Sequence, residues 1–505
     1  MNRVTRFAPA FLSGLMLALA FPKADISLLA WVAFAPLLWS IRNVTPKQAF
    51  VHGWISGMGF YLCTMYWVVQ TIGLYSNIPT VVAILPLLAL CAILASYTGA
   101  FAAGLRWYQL RGGSLFVLGP PLWVALEWLR SFFFIGCPWV DLGYSQYPFL
   151  NLVQFVEFTG VYGVSALVIF GNLVVFTLLT SREAARWRLL GTAVVLVLVL
   201  SGWGAWRRTQ LAALPPSQHL RIALLQGNIE QDQKWDKAFE EEILSRYERL
   251  SREAAAKGAQ LIVWPETAFP FYFQSDFLYR QRLLNLVREL RTPLLFGAVG
   301  WQQKRKNEVT LFNRAYLLSA SGEELGSYDK IKLAPFGEYI PFHNSLLFFL
   351  DKLVVGIGDF GIGTEAKVFE LPQTRFGVLI CYEGIFPDFA RQFVANGAQL
   401  LINITNDAWF GRSSAPYQHL VMEAMRAIEN RVPLVRAANT GFSAVIANDG
   451  HIHAQTALYE TTTLIADLAW PQVSSFYARY GDVFVYLCVL MTLGMLGYSH
   501  YRQSR

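Results

Sequence analysis

Apolar residues run nearly unbroken through seven stretches of the first 206 residues, with short basic connectors between them. The pattern changes over 207–481, where short apolar runs alternate with amphipathic stretches, and one more apolar run closes the chain. A helix needs ~20 apolar residues to cross a hydrocarbon core about 30 Å thick. The runs therefore predict spanning helices over residues 7–21, 26–41, 49–69, 81–105, 115–129, 161–180, 189–206 and 483–501, the first, second and fifth being short and extending into aromatic flanks. In the middle region, continuous apolar runs predict strands over 221–226, 260–264, 293–298, 314–319, 376–380, 399–404, 434–438, 444–447 and 463–468. Helical stretches cover 237–257, 277–290, 388–396 and 417–430. Strands that are apolar throughout, with helices between them, imply sheets covered by helices. The chain divides into helices one to seven (1–206), a linker containing Leu214-Pro-Pro-Ser217 (207–219), an α/β domain (220–472), and the eighth helix with the C-terminus (473–505).

Composition sharpens this division. Hydrophobic residues make up 54% of the chain and charged residues 15%, against roughly a quarter charged in soluble domains. The 16 Trp and 37 Phe fit interfacial aromatic belts. The basic residues between spans are not evenly distributed. Arg3, Arg6, Arg42, Lys47, Arg106, Arg111, Arg182, Arg186, Arg188, Arg502 and Arg505 fall on one side, and only Lys23 and Arg130 in the short loops opposite. Positive charge marks the cytoplasmic side, so both termini are expected there and residues 207–482 on the outer side. The net charge of +7 has this membrane explanation. No basic helix or patch points to nucleic acid. The first apolar run also has the look of a signal peptide ending at Ala18-Leu-Ala20, and a retained helix is the expectation taken here. Glu127 and Arg130, near a span end, are expected to pair locally.

The five cysteines are widely spaced, with no CxxC, and suggest neither a zinc site nor a disulfide framework. His451 and His453 flank a turn without ligand partners, so no metal and no cofactor are expected. Only Cys381 lies in the outer region, where the run Phe376-Gly-Val-Leu-Ile380 ends and a helix follows. A helix N-terminus favours a thiolate, although a lone Cys in an apolar run is commonly a core residue. Two further polar groups lie where strands end: Glu266, after Leu261-Ile-Val-Trp-Pro, and Lys330 in Tyr328-Asp-Lys330, shortly before Pro335-Phe-Gly-Glu338. Ligands in open α/β sheets bind beyond strand ends. A carboxylate, an ammonium and a thiol there suit nucleophilic acyl transfer, as base, oxyanion stabiliser and nucleophile.

Trp264-Pro-Glu266-Thr-Ala, Tyr328-Asp-Lys330 with Phe336-Gly-Glu338, and Ile380-Cys381-Tyr-Glu383 resemble, in order and spacing, the Glu–Lys–Cys motifs of the carbon-nitrogen hydrolase (nitrilase) superfamily. The likeness covers about 220–468, and the flanking spans make the whole chain similar to the membrane-bound branch that N-acylates apolipoproteins. The resemblance implies a four-layer αββα sandwich joined to eight transmembrane helices in a bacterial inner membrane, with the site facing the periplasm. It implies catalytic roles for Glu266, Lys330 and Cys381, and supporting roles for Glu338, Tyr382, Glu383, Trp235 (in Gln233-Lys-Trp-Asp236) and Asn313. Lys332 is a near competitor for Lys330, which the Tyr-x-Lys pattern favours. The implied partners are a phospholipid acyl donor, a diacylated apolipoprotein acceptor and the bilayer, with no nucleic acid and no second copy of the chain.

Water must be kept from a thioester for transfer to win over hydrolysis. An apolar arm around Leu346, Phe348, Phe349 and Leu350 is a candidate bilayer contact that would serve this need, and Phe269-Pro-Phe-Tyr-Phe273 is a second. An anchored amidase or nitrilase acting on a small C–N substrate would use the same three residues, but one anchor would suffice for it. A transporter or receptor reading finds no internal repeat and no charged path through the spans.

Overall fold

The computed structural model describes residues 6–75, 79–133, 136–231, 233–305, 308–335, 337–339 and 360–503. They form two compact units, divided after Gln210 and after Arg479.

In the first unit, four helices among the described residues are long and apolar enough to cross a membrane: Val81–Gln109, Val161–Thr180, Ala185–Ala213 and Val483–Arg502. The other expected spans are shorter or interrupted. Ala8–Leu19 has 12 residues. The run at 26–41 splits into a 3-10 turn, Ser27–Trp31, and a helix, Ala35–Ile41, that starts with Pro36 near its N-terminus. Proline is tolerated there because the first turn needs no N–H donor. Pro46–Thr64 is capped at Thr45, whose hydroxyl accepts from Gln48 N while the Gln48 side chain accepts from Thr45 N. The helix Leu115–Arg130 carries Pro120 and Pro121 within it. Arg130 pairs with Asp141, not with Glu127 as expected, and Glu127 Oε1 accepts from the backbone N–H of Leu142 at 2.7 Å. The loop after the helix folds back and brings in an acid that linear proximity does not reveal. The expected linker is also shorter than predicted. The helix Ala185–Ala213 continues through its first half, because no breaker occurs before Pro215-Pro216.

Among the described residues the second unit holds twelve strands in two six-stranded sheets. The first contains β1 (Gln218–Gln226), β2 (Leu261–Val263), β3 (Leu294–Arg305), β4 (Glu308–Leu318), β5 (Glu324–Asp329) and β12 (Thr462–Trp470), in the order β12-β1-β2-β3-β4-β5. The second contains β6 (Val368–Leu371), β7 (Thr374–Ile380), β8 (Leu400–Thr405), β9 (Leu434–Ala438), β10 (Ala444–Ile446) and β11 (Ile452–Gln455), in the order β11-β10-β9-β8-β7-β6. Each sheet has a parallel centre, β1-β2-β3 or β7-β8-β9, and antiparallel flanks. β8 and β9 are buried along their whole length, which explains why apolar residues occupy both of their faces.

Helices Glu240–Ala256 and Phe277–Leu290 cover one sheet through Leu244, Tyr247, Leu283 and Val287, against Ile262, Trp264 and Phe296. Helices Pro387–Ala395 and Ala415–Asn430 cover the other, and β1 faces β7 and β9 across the middle. This is the αββα sandwich expected. Phe269, Phe271 and Phe273 are buried in the core of the first sheet, so this stretch is not a bilayer contact. Phe269 and Phe273 fill the space beside Phe296 and Tyr316, and Phe271 stacks on Tyr279.

Candidate active site

Parallel strands that point the same way gather their C-terminal ends, and both sheet centres do so here. The loops after β1, β2, β5, β7 and β8 supply the polar residues. Glu266 follows β2 in a turn where Thr267 has a left-handed backbone (φ 44). That turn packs on Gly297, where an added Cβ would lie 2.5 Å from Thr267 N and 2.8 Å from Glu266 Cα. Glu266 is 6% exposed. Its Oε2 accepts from the backbone N–H of Asn406 at 3.0 Å, and its Oε1 from Asn313 Nδ2 at 2.7 Å. Asn313, on β4, bonds with the same nitrogen to Glu338 Oε1 at 2.7 Å.

Lys330, buried just past β5, places Nζ 2.9 Å from Glu338 and 3.4 Å from Glu266. Its backbone N–H donates to Asn313 O at 2.9 Å, which fixes the lysine beside that asparagine. Glu338 is anchored in turn by the N–H of Ala334 at 2.7 Å. A buried ammonium is costly unless paired. Burial works against the charge of Lys330, but Glu338, Glu266 and Cys381 outweigh it and hold the group above its ordinary pKa. Lys330 is therefore charged throughout the physiological range. Lys332 is not its competitor. Its ammonium lies over the rings of Phe386 and Phe389, at 5.3 and 6.0 Å.

Cys381 ends β7 and opens a 3-10 turn, Cys381–Ile385, with φ 52 at the cysteine. A non-glycine residue held there is strained and needs surrounding support. Asn403 Nδ2 donates to Cys381 O at 3.1 Å. Glu383, fully buried, ties the turn to the lysine loop. Its Oε2 accepts from Ile380 N at 2.7 Å, and its Oε1 from Tyr328 Oη at 2.7 Å, Ile331 N at 2.7 Å and Lys332 N at 3.0 Å. Burial pushes the Glu383 carboxyl up to about 7.

The helix-dipole expectation for Cys381 is corrected. The helix starts only at Pro387, and burial, reinforced by the Glu266 and Asp407 charges, pushes the thiol well above its ordinary range despite Lys330 and Thr405. The resting group is a thiol that requires a base. Glu266 and Lys330 are close enough to act on it electrostatically.

Among the other expected residues, Tyr382 is half-buried and meets the Phe386 ring edge-on at 5.1 Å. Trp235 ends a 3-10 turn, Gln233–Trp235, but its side chain lies outside the described residues. Leu346, Phe348, Phe349 and Leu350 also lie outside them, as does Phe336. Three residues were not anticipated. Asn406 orients Glu266 and donates from its amide to Gln231 at 2.6 Å. Asn439 donates to Asn406 Oδ1 at 2.9 Å. Lys234 donates from Nζ to the Glu266 carbonyl oxygen at 2.9 Å. The polar run Asn403-Ile-Thr-Asn-Asp407 closes a strand just as Glu266 does, and the same strand-end rule would have found it.

The fold and the grouping of thiol, ammonium and carboxylates point to one class. The carbon-nitrogen hydrolase family matches residues 221–478. Residues 13–174 match the apolipoprotein N-acyltransferase N-terminal domain. A relative from Geobacter metallireducens, named apolipoprotein N-acyltransferase, is 45% identical over 484 residues, covering 95% of this chain and 92% of its own. One of the same name from Brucella melitensis is 33% identical over 530 residues, covering 99% and 98%. The chain belongs to the apolipoprotein N-acyltransferase family. A more distant likeness, to the crystal structure of an amidase from Nesterenkonia sp., has 22% identity and a TM-score of 0.40, covering 55% of this chain and 98% of that one.

Proposed function

We propose that this enzyme moves an acyl chain, from the sn-1 position of a phospholipid, to the α-amine of the N-terminal diacylglyceryl-cysteine of apolipoproteins, in two half-reactions through a thioester on Cys381. In the first, Glu266 takes the thiol proton and the sulfur attacks the ester carbonyl. Lys330 stabilises the resulting oxyanion. The intermediate collapses, the C–O bond breaks, and Glu266 returns the proton to the departing lyso-phospholipid oxygen. In the second, Glu266 takes a proton from the attacking amine, the C–S bond breaks, and the thiol recovers that proton. Charge and atoms balance in both steps without a cofactor.

The observation that carries this reading is the position of Lys330 Nζ between Glu338 and Glu266, at 2.9 and 3.4 Å. With Glu338 as a fixed counter-ion, Lys330 keeps its charge while Glu266 gains and loses a proton. Asn313 and the N–H of Asn406 hold the Glu266 carboxylate, an arrangement suited to a base that must act twice. Tyr382 and Trp235 are assigned to the substrate side of the site. The eight apolar runs are read as eight spans of a bacterial inner membrane, with both termini cytoplasmic and the catalytic unit periplasmic, on the strength of the basic-residue bias.

The test is turnover in phosphatidylethanolamine vesicles carrying a diacylated lipopeptide with a free N-terminus. Lyso-phospholipid and triacylated peptide should appear in equal amounts, and both should vanish in Cys381→Ala. Release of free fatty acid with no peptide product would contradict acyl transfer.

A further inference from the structure

Lys234 is a second buried lysine at this site, and the catalytic scheme above does not use it. It lies on the 3-10 turn Gln233–Trp235, between β1 and the helix Glu240–Ala256, and is 4% exposed. Its Nζ donates to the carbonyl oxygen of Glu266 at 2.9 Å. The following residue, Thr267, has the left-handed backbone noted above, so this carbonyl sits in a turn that needs holding. The charged and titratable groups that act on Lys234 are Glu266, across that turn, and Cys381, at the end of β7. Lys330 meets the Glu266 carboxylate and Glu338, while Lys234 meets the Glu266 backbone carbonyl.

Charge accounting makes the role specific. Glu266 and Glu338 surround one ammonium, Lys330, so these three carry one excess negative charge. When Cys381 passes its proton to Glu266, negative charge appears on sulfur and then on the oxyanion, and the excess persists. Lys234, charged, brings the buried group to neutrality at every stage. In a low-dielectric pocket an uncompensated charge is expensive.

We propose that Lys234 is a positioning residue for the acyl-transfer site: it clamps the Glu266 carbonyl, and its ammonium is the fourth charge that lets Cys381 ionise. The clamp and the charge are separable. A neutral amine still donates one hydrogen bond to the carbonyl but no longer offsets the thiolate. Burial lowers this lysine to about 8, even with Glu266 and Cys381 opposing the shift. The charge is therefore present at pH 7 and lost through mildly alkaline pH.

The inference rests on Cys381 being the nucleophile, but its test does not require a phospholipid. The full chain in detergent is treated with iodoacetamide between pH 6.5 and 9.5, and alkylation of Cys381 is followed by peptide mass spectrometry. In the native protein the logarithm of the rate should climb with pH, then flatten across pH 7.5–8.5 as Lys234 discharges. Lys234→Met should react about tenfold more slowly at pH 7, the effect of one nearby charge, and should show no flattening. Lys234→Arg keeps its charge, so its rate should climb past pH 9 without the break. Should Lys234→Met fail to fold in a thermal melt, the Lys234→Arg profile alone decides. A rate in Lys234→Met within twofold of native, or a break at pH 8 that persists in either variant, overturns the proposal. Acyl transfer could fail in vesicles while this profile holds, and the reverse, so the two readings fail separately.

Discussion

Cys381 and Lys330 work against what burial alone would do to them. Burial favours the neutral form of both groups. Lys330 overcomes it with Glu338 and Glu266, while Cys381 does not and stays a thiol. A thiol that ionises only when a base takes its proton is less exposed to oxidation than a standing thiolate, which suits a cysteine expected on the oxidising side of a membrane. The two lysines two residues apart sit in unequal surroundings. Lys330 is inside the carboxylate pair, and Lys332 lies over aromatic rings. Lys330→Met should lower kcat by about 10²–10³, the scale of losing one oxyanion-stabilising group, whereas Lys332→Met should cost under about threefold, since an exposed cation–π contact is worth ~0.5–1 kcal/mol. Steady-state turnover in vesicles checks both, and equal losses would refute the distinction. At this scale the sequence was informative. Glu266 and Cys381 were readable as polar residues closing apolar strands, and Lys330, Glu338 and Asn313 through resemblance. Lys234 and Asn439 were not, because their partners are a backbone carbonyl and an amide far away in the chain.

At the scale of elements, the turn Cys381–Ile385 is shaped by what surrounds it. Glu383 bonds the turn to the loop after β5, and the helix Ala415–Asn430 supports it from behind. Gly384 leaves room for Glu423, since an added Cβ would lie 2.6 Å from its Oε1. Arg426 Nη1 donates to Ile385 O at 2.9 Å. Behind them Asp407, His419, Glu423 and Arg436 form a fully buried ion-paired group. Asp407 is held below the usual carboxylate range because Arg436 and His419 outweigh the cost of burying it.

Glu383 has the opposite sign. Its folded pKa of about 7 stands above the ordinary 4.5. The folded state therefore holds this proton more tightly than the unfolded chain. The associated stability is complete below about pH 4.5 and is lost as pH rises through 7. A shift of that size is on the order of 3 kcal/mol. The melting temperature in detergent should fall between pH 5 and 7.5 for this reason, and Glu383→Gln should flatten the fall while lowering the plateau, because an amide cannot accept all four donors. An unchanged slope in the variant would remove Glu383 as the cause. The helix Ala415–Asn430 was legible as a helix, but its buried charges were not. Sequence periodicity separates polar from apolar faces and does not show that a polar face is packed against other polar groups. The missed strands β5, β6 and β11 are sheet edges, where strands are short and polar residues are frequent.

Over the whole molecule, one region is legible from hydropathy and the other from strand and helix alternation. The helical region is the harder to count. Among the described residues four helices meet the length and apolarity of a span, while the other apolar runs form helices that are shorter, split or less apolar. Hydropathy sums over a window and does not register such breaks. The expectation of eight spans therefore rests on the apolar runs and its orientation on the basic-residue bias, and together they make a clear prediction. A reporter that fluoresces only in the cytoplasm should be active when fused after Arg505, and one that is active only in the periplasm should be so when fused at 217, between the last upstream span and the catalytic unit. Both positions on the same side would contradict a span at 483–501, and the two reversed would contradict the assigned orientation.

The central claim is that Cys381 carries the acyl chain. The full chain should be incubated with phosphatidylethanolamine of one defined sn-1 chain, without any acceptor, and its intact mass measured. A gain equal to that acyl group, mapped to Cys381, discharged by a diacylated lipopeptide amine and absent in Cys381→Ala and Glu266→Gln, is the predicted result. Turnover of the lipopeptide with no acyl adduct at Cys381 under any quench, or an adduct that survives Cys381→Ala, would contradict it.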